Sequence, residues 1–213
     1  MISTRDGPFP PGATALLLVD MQRIWLEPGR NPHHPDWTAD HPFHGETSER
    51  AIPNQRRLVD AARGAGVEVI HTIIRSLTRD GRDRSLDHKL TPIQVGPDDP
   101  LALPVPELAP GPDEILLPKT SSGVFNSTNI DYVLRNLGVS HLVVAGIMTD
   151  QCVDMAVRDG ADRGFAVTCV TDACAAQTSE RHDNALKAFG GYCWLADTDT
   201  VAARFGAMRR AAA

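Results

Sequence analysis

No apolar run in this chain is long enough to cross a bilayer. The longest, Ala15 to Val19 and Leu142 to Met148, stop far short of the roughly 20 residues a membrane helix needs. An excess of positive charge is also missing: 21 Lys and Arg face 27 Asp and Glu, for a net charge of -6. That balance argues against a nucleic-acid partner, because phosphate backbones are gripped by basic surfaces. The polar, Pro-bearing segment Met1 to Gly12 lacks the apolar stretch of a signal peptide, so a cytoplasmic setting without membrane contact is expected. There the four cysteines are expected to be reduced thiols rather than disulfides. Two motifs are absent as well. The first apolar run is followed by Asp20-Met21-Gln22-Arg23-Ile24-Trp25, not by the G-x-G-x-x-G of a dinucleotide site. His33, His34, His41 and His44, with Asp36 and Asp40 among them, match no compact zinc spacing. They are read as a solvated loop, and neither metal nor cofactor is expected.

The apolar runs that are present are short. Thr14 to Val19 ends at a carboxylate, and similar runs recur at 67–74, 114–117, 141–146, 165–170 and 192–195. Runs of this length read as strands buried on both faces. Helix-like patterns alternate with them at 55–64, 129–137, 150–163 and 179–189, and Gly138, Gly164 and Gly190 fall where helix ends belong. Alternation of this kind predicts an α/β fold with a mostly parallel sheet covered on both faces. With no internal repeat and no convincing linker, residues 1–213 are read as one domain. Two long segments, 21–48 and 76–112, exceed what an αβ connection requires. Both leave from carboxyl ends of predicted strands, where open α/β sheets place ligands, and are expected to wall a pocket.

Three reactive residues share that context. Asp20, Lys119 and Cys152 each follow an apolar run at or just beyond a strand end, so they can converge on one crevice. Cys152 follows Thr149 and Asp150, either a plausible helix cap, and precedes Val153, Ala156 and Val157 at helical spacing. The positive end of a helix and a nearby Lys119 would favour its thiolate, and Asp20 could exchange a proton with it. A small buried structural cysteine is the alternative.

Leu17-Leu18-Val19-Asp20-Met21-Gln22, then Lys119 with Phe125 and Thr128 beyond it, then Ala145-Gly146-Ile147-Met148-Thr149-Asp150-Gln151-Cys152-Val153 closely resemble the isochorismatase-like cysteine hydrolase superfamily, on its amidohydrolase branch. The resemblance runs from about Ala13 to Leu195. It implies a three-layer, six-stranded Rossmann-like α/β/α fold and a catalytic triad of Asp20 as base, Lys119 as electrostatic partner and Cys152 as nucleophile. It also implies a cis Ile147–Met148 peptide, with the N–H groups of Met148 and Cys152 forming an oxyanion hole. Assembly as a homo-oligomer, a dimer or tetramer, is implied too. The Asp-x-His element of the family's nicotinamidase metal site is missing from the segment His71 to Asp80. Gly123, Met148 and Arg23 stand where many members carry Ser, Ala and Asn.

Trp25, Arg75, Phe125 and Asn126 are the candidates for the substrate wall; Arg75 could pair with a substrate carboxylate, and Trp25 and Phe125 could equally be core. Cys169 and Cys193 fall in strand patterns and Cys174 in a loop, all three read as structural. The expected activity is hydrolysis of a small amide, carbamoyl or ureido substrate through a thioester, releasing ammonia or an amine. Vinyl-ether hydrolysis of the isochorismatase type, which needs no thiol nucleophile, and a non-catalytic Rossmann-like binding protein are the alternatives.

Overall fold

The computed structural model describes residues 4–212. Six strands form one sheet: β1 (Thr14–Val19), β2 (Glu68–Ile74), β3 (Ile115–Lys119), β4 (His141–Ile147), β5 (Ala166–Ala175) and β6 (Trp194–Ala196). Their order is β3-β2-β1-β4-β5-β6, and every pairing is parallel, where a mostly parallel sheet was expected. Each residue of β1 and β4 is buried, as continuous apolar strands in the middle of a covered sheet must be. Pro118 lies in β3 at the sheet edge, where its missing N–H costs no ladder bond on the open side.

Helices cover both faces. α1 (Ile52–Ala65) turns Leu58, Val59 and Ala62 inward. On the other face lie α2 (Ile130–Asn136), α3 (Asp154–Asp162) and α4 (Ser179–Phe189). α5 (Thr198–Ala212) packs along α1 and was not anticipated, although Val201, Phe205 and Met208 recur once per turn and are buried. Gly138 and Gly164 follow helices with positive φ of 70° and 88°, but Gly190 stays right-handed at φ -56°. The cysteine expectations also shift. Cys174 belongs to β5, because β5 bulges between Cys169 and Cys174 against β4, while Cys193 sits in the turn just before β6.

Strand order reverses between β1 and β4, which makes their carboxyl ends a topological switch point. The closeness of the two strands there depends on Gly146. It pairs with Val19 at φ 135°, and a Cβ placed on it would lie 2.2 Å from the Val19 carbonyl oxygen. Gly146→Ala must therefore push β1 from β4 as well as strain its own backbone. Thermal unfolding should show a loss of roughly 3 kcal/mol or more. A stability within about 0.5 kcal/mol of the parent, the ordinary range for harmless substitutions, would mean that the strands do not meet this closely.

Candidate active site

Three strand ends bring Asp20, Lys119 and Cys152 together. Asp20, directly after β1, has a left-handed backbone with φ 57°, a conformation that Asp tolerates better than most side chains. Its N–H donates to the Thr72 carbonyl at 3.1 Å, and the Thr72 hydroxyl donates to Asp20 Oδ1 at 3.1 Å. Lys119 closes β3, and its Nζ stands 2.8 Å from Asp20 Oδ2 and 3.4 Å from Cys152 Sγ. A third contact, 3.0 Å to the Ser121 carbonyl, completes its set of acceptors. Asp20 and Lys119 are 2% and 0% exposed, so neither ion has water to fall back on.

Burial sets the proton states here. It lowers the Lys119 ammonium, but the Asp20 carboxylate and the Cys152 sulfur overcome this and raise it above its ordinary value. Burial raises Asp20 despite the opposing lysine. The Cys152 thiol is pushed up to about 12, mainly by burial and further by Asp20, with Lys119 pulling the other way. The expectation of a resting thiolate is therefore corrected: in a site this dry, desolvation outweighs the lysine and the helix end. Cys152 lies in the first helical turn, as expected; that turn, Thr149–Val153, is wide before the chain tightens into α3.

The Ile147–Met148 peptide is cis. Among the described residues the Met148 N–H meets no acceptor, while its carbonyl receives the N–H groups of Gln151 and Val153.

Above this floor opens a pocket of about 160 Å³. Both long segments wall it, as expected from their exits: Trp25, Asn31, His33, His34 and Trp37 from the first, Thr91 and Ile93 from the second. Gln22, fully buried, organises one side. Its amide donates to the carbonyls of Ile74 and Ala102, and its oxygen accepts from the Ile74 N–H and from Trp25 Nε1 at 2.9 Å. The motif glutamine thus positions the wall tryptophan.

Of the four proposed wall residues only Trp25 reaches the pocket. Phe125 is core, against Phe165 at 6.1 Å between ring centroids and under the Arg163 guanidinium. Asn126 is exposed beside a separate surface groove. Arg75 is not among the lining residues either, since Ile74, its neighbour on the alternating strand, points there instead. Arg23 pairs with Glu27 at the surface. Met148 lines the pocket, and Gly123 leaves space that Asn126 and Met155 close upon.

The histidine segment is a loop with Asp36 and Asp40 exposed, but it is more packed than expected: the buried Trp37 indole is stacked between half-buried His34 at 4.1 Å and His41 at 4.6 Å, and His44 is buried beneath it. Burial, with His34 adding to it, lowers His33. Among the described residues, no group of three or more His, Cys, Asp or Glu is placed to hold a metal ion. No helix among them is long and apolar enough to cross a membrane. The wall histidines, Asn31, Gln177 and Arg181 were missed because nothing in their local pattern marks a pocket.

Known proteins share this chain's sequence family and fold. The family described as Isochorismatase domain matches residues 14–200. A protein of Arabidopsis thaliana described as "Probable inactive nicotinamidase" is 35% identical over 79% of this chain and 84% of its own. An N-carbamoylsarcosine amidase from an Arthrobacter species is 28% identical over 71% of this chain, but only 55% of its own length is matched. A crystal structure of a cysteine hydrolase from Pseudomonas syringae pv. phaseolicola superposes with a TM-score of 0.83 at 25% identity, covering 95% of this chain and 96% of that one.

The electrostatics give two expectations. Asp20→Asn removes a charge that raises the thiol, so thiolate ultraviolet absorbance should titrate at a lower pH than in the parent protein. An unchanged titration would separate the carboxylate from the sulfur. Lys119→Met leaves Asp20 buried without its cation, and chemical denaturation should show a loss of about 3–5 kcal/mol; parental stability would contradict the buried pair.

Proposed function

This chain belongs to the isochorismatase family, and from that premise we propose that it hydrolyses the C–N bond of a small amide, carbamoyl or ureido compound through a thioester on Cys152. The observation that carries this reading is the single lysine ammonium within 2.8 Å of a carboxylate oxygen and 3.4 Å of a thiol sulfur, at the floor of a pocket of substrate size. The named amidase among the relatives supports the same bond class.

In this reading the thiol rests protonated and gives its proton to Asp20 as sulfur attacks the carbonyl carbon. Lys119 stabilises the thiolate as it forms, which offsets the burial that otherwise holds the proton on sulfur. The N–H groups of Met148 and Cys152 receive the oxyanion; the free Met148 donor fits that role. Asp20 then passes the proton to the leaving nitrogen, so that ammonia or an amine departs and an acyl thioester remains. A water molecule, deprotonated by Asp20, attacks the thioester, and the proton returns to sulfur with release of the acid or carbamate. Nothing is oxidised or reduced, and the net change is addition of one water across the C–N bond.

Ammonia release from a panel of small amides and ureides tests the proposal. At least one compound should be turned over, Cys152→Ala should abolish that turnover, and Asp20→Asn should lower kcat by about 10²–10⁴-fold. Mass spectrometry of a slow substrate should find the acyl group on Cys152. Turnover that survives Cys152→Ala would reject the thioester route.

A further inference from the structure

Apart from Asp20, two charged side chains of opposite sign line the pocket, Asp150 and Arg181. They are committed to each other. The Nε and Nη2 atoms of Arg181 both lie 2.5 Å from Asp150 Oδ2, and its Nη1 donates to Gln177 Oε1 at 2.9 Å. The Lys119 ammonium is equally committed to Asp20 at the floor. Neither the guanidinium of the lining nor the ammonium at the floor is thus left for a ligand carboxylate. The free capacity of the pair itself has the opposite sense: Asp150 Oδ1 is buried and accepts no hydrogen bond, while His33 Nε2, unpartnered in the same lining, can donate or accept according to its tautomer. A buried acceptor without a donor carries a penalty that a ligand N–H removes, whereas a ligand carboxylate set beside it would be repelled.

We infer that Asp150 is a specificity-determining residue: it neutralises Arg181 and offers its own free oxygen, so the pocket takes uncharged amides bearing an N–H donor away from the scissile bond and rejects anionic ones. The inference rests on the reading of this pocket as the amide site and adds which amides enter it. Discrimination here comes as much from the penalty against the wrong ligand as from contacts with the right one.

The discriminating experiment is a binding measurement that needs no turnover. N-carbamoylglycinamide and N-carbamoylglycine differ only in carboxamide against carboxylate. Each is titrated at neutral pH into the full chain carrying Cys152→Ala, with binding followed by the fluorescence of the wall tryptophans Trp25 and Trp37. The carboxamide should bind at least about tenfold more tightly, a difference of about 1.4 kcal/mol. Adding Asp150→Asn frees the Arg181 guanidinium, and the preference should shrink by about tenfold or reverse towards the carboxylate. Adding Arg181→Gln instead leaves Asp150 uncompensated, and the preference for the carboxamide should grow. Either second variant suffices should the other not fold. Equal affinities, a preference for the carboxylate, no binding of either ligand, or a ratio that a folded second variant leaves unchanged would overturn the inference. Failure of the parent protein to release ammonia would count against the hydrolase reading alone, because the binding ratio is read independently.

Discussion

The ion pair between Lys119 and Asp20 is the constraint around which the rest is arranged. Removing two charges from water costs several kcal/mol per ion, and only close, well-supported pairing offsets it. Here the offset comes from the 2.8 Å contact, the Thr72 hydroxyl on one oxygen and the Ser121 carbonyl on the ammonium. Those partners sit on different strand ends. The pair therefore needs β1, β2 and β3 in register, and the left-handed backbone at Asp20 that turns the chain at the end of β1. A buried pair of this kind is weak evidence for stability in its own right. Its value here is that it holds a carboxylate and an ammonium against a thiol that burial keeps protonated.

The same dryness explains why the site is built as a relay rather than as a preformed nucleophile. A thiol near a helix end and a lysine is ordinarily favoured as thiolate, but Cys152 is 5% exposed and desolvation wins. A carboxylate within reach then becomes necessary, since sulfur cannot lose its proton to solvent. Placement of Asp20 one residue beyond β1, opposite the β4 end, supplies it. Gly146 is the geometric condition for that placement, because any side chain there would collide with β1.

Floor and walls follow different rules. The floor is made by strand ends and tolerates little variation in position. Much of the wall comes from two long segments packed by their own aromatic and polar contacts, where Gln22 fastens Trp25 and Trp37 lies between two imidazoles; the turn after β4 and the start of α4 add Asp150 and the Arg181 it holds. A pocket whose charges are all internally paired discriminates by shape and by hydrogen-bond sense.

The order of strands and helices, the all-round burial of β1 and β4, and the convergence of Asp20, Lys119 and Cys152 could be read from residues alone. Continuous apolar runs ending at reactive side chains have few other structural solutions, and the family resemblance, not the residues themselves, implied the cis peptide at Ile147–Met148. Exits of the two long segments also pointed to a pocket. Other features lay beyond local pattern. α5 shows only three apolar residues on an Ala- and Arg-rich helix, and its partner α1 is far away in sequence. Phe125 and Asn126 follow the lysine closely, yet the short helix that carries them faces the core and the outer surface. Two of the four histidines stack on Trp37 within the segment itself, a contact that shows only in the folded chain because it follows no helix or strand period. The proton state of Cys152 was misjudged for the same reason: charges nearby can be counted along a chain, but the loss of water around them exists only once the walls have closed. Backbone pattern and side-chain chemistry determined which groups meet; packing at long range decided what surrounds them, and with it their charge and what they can accept.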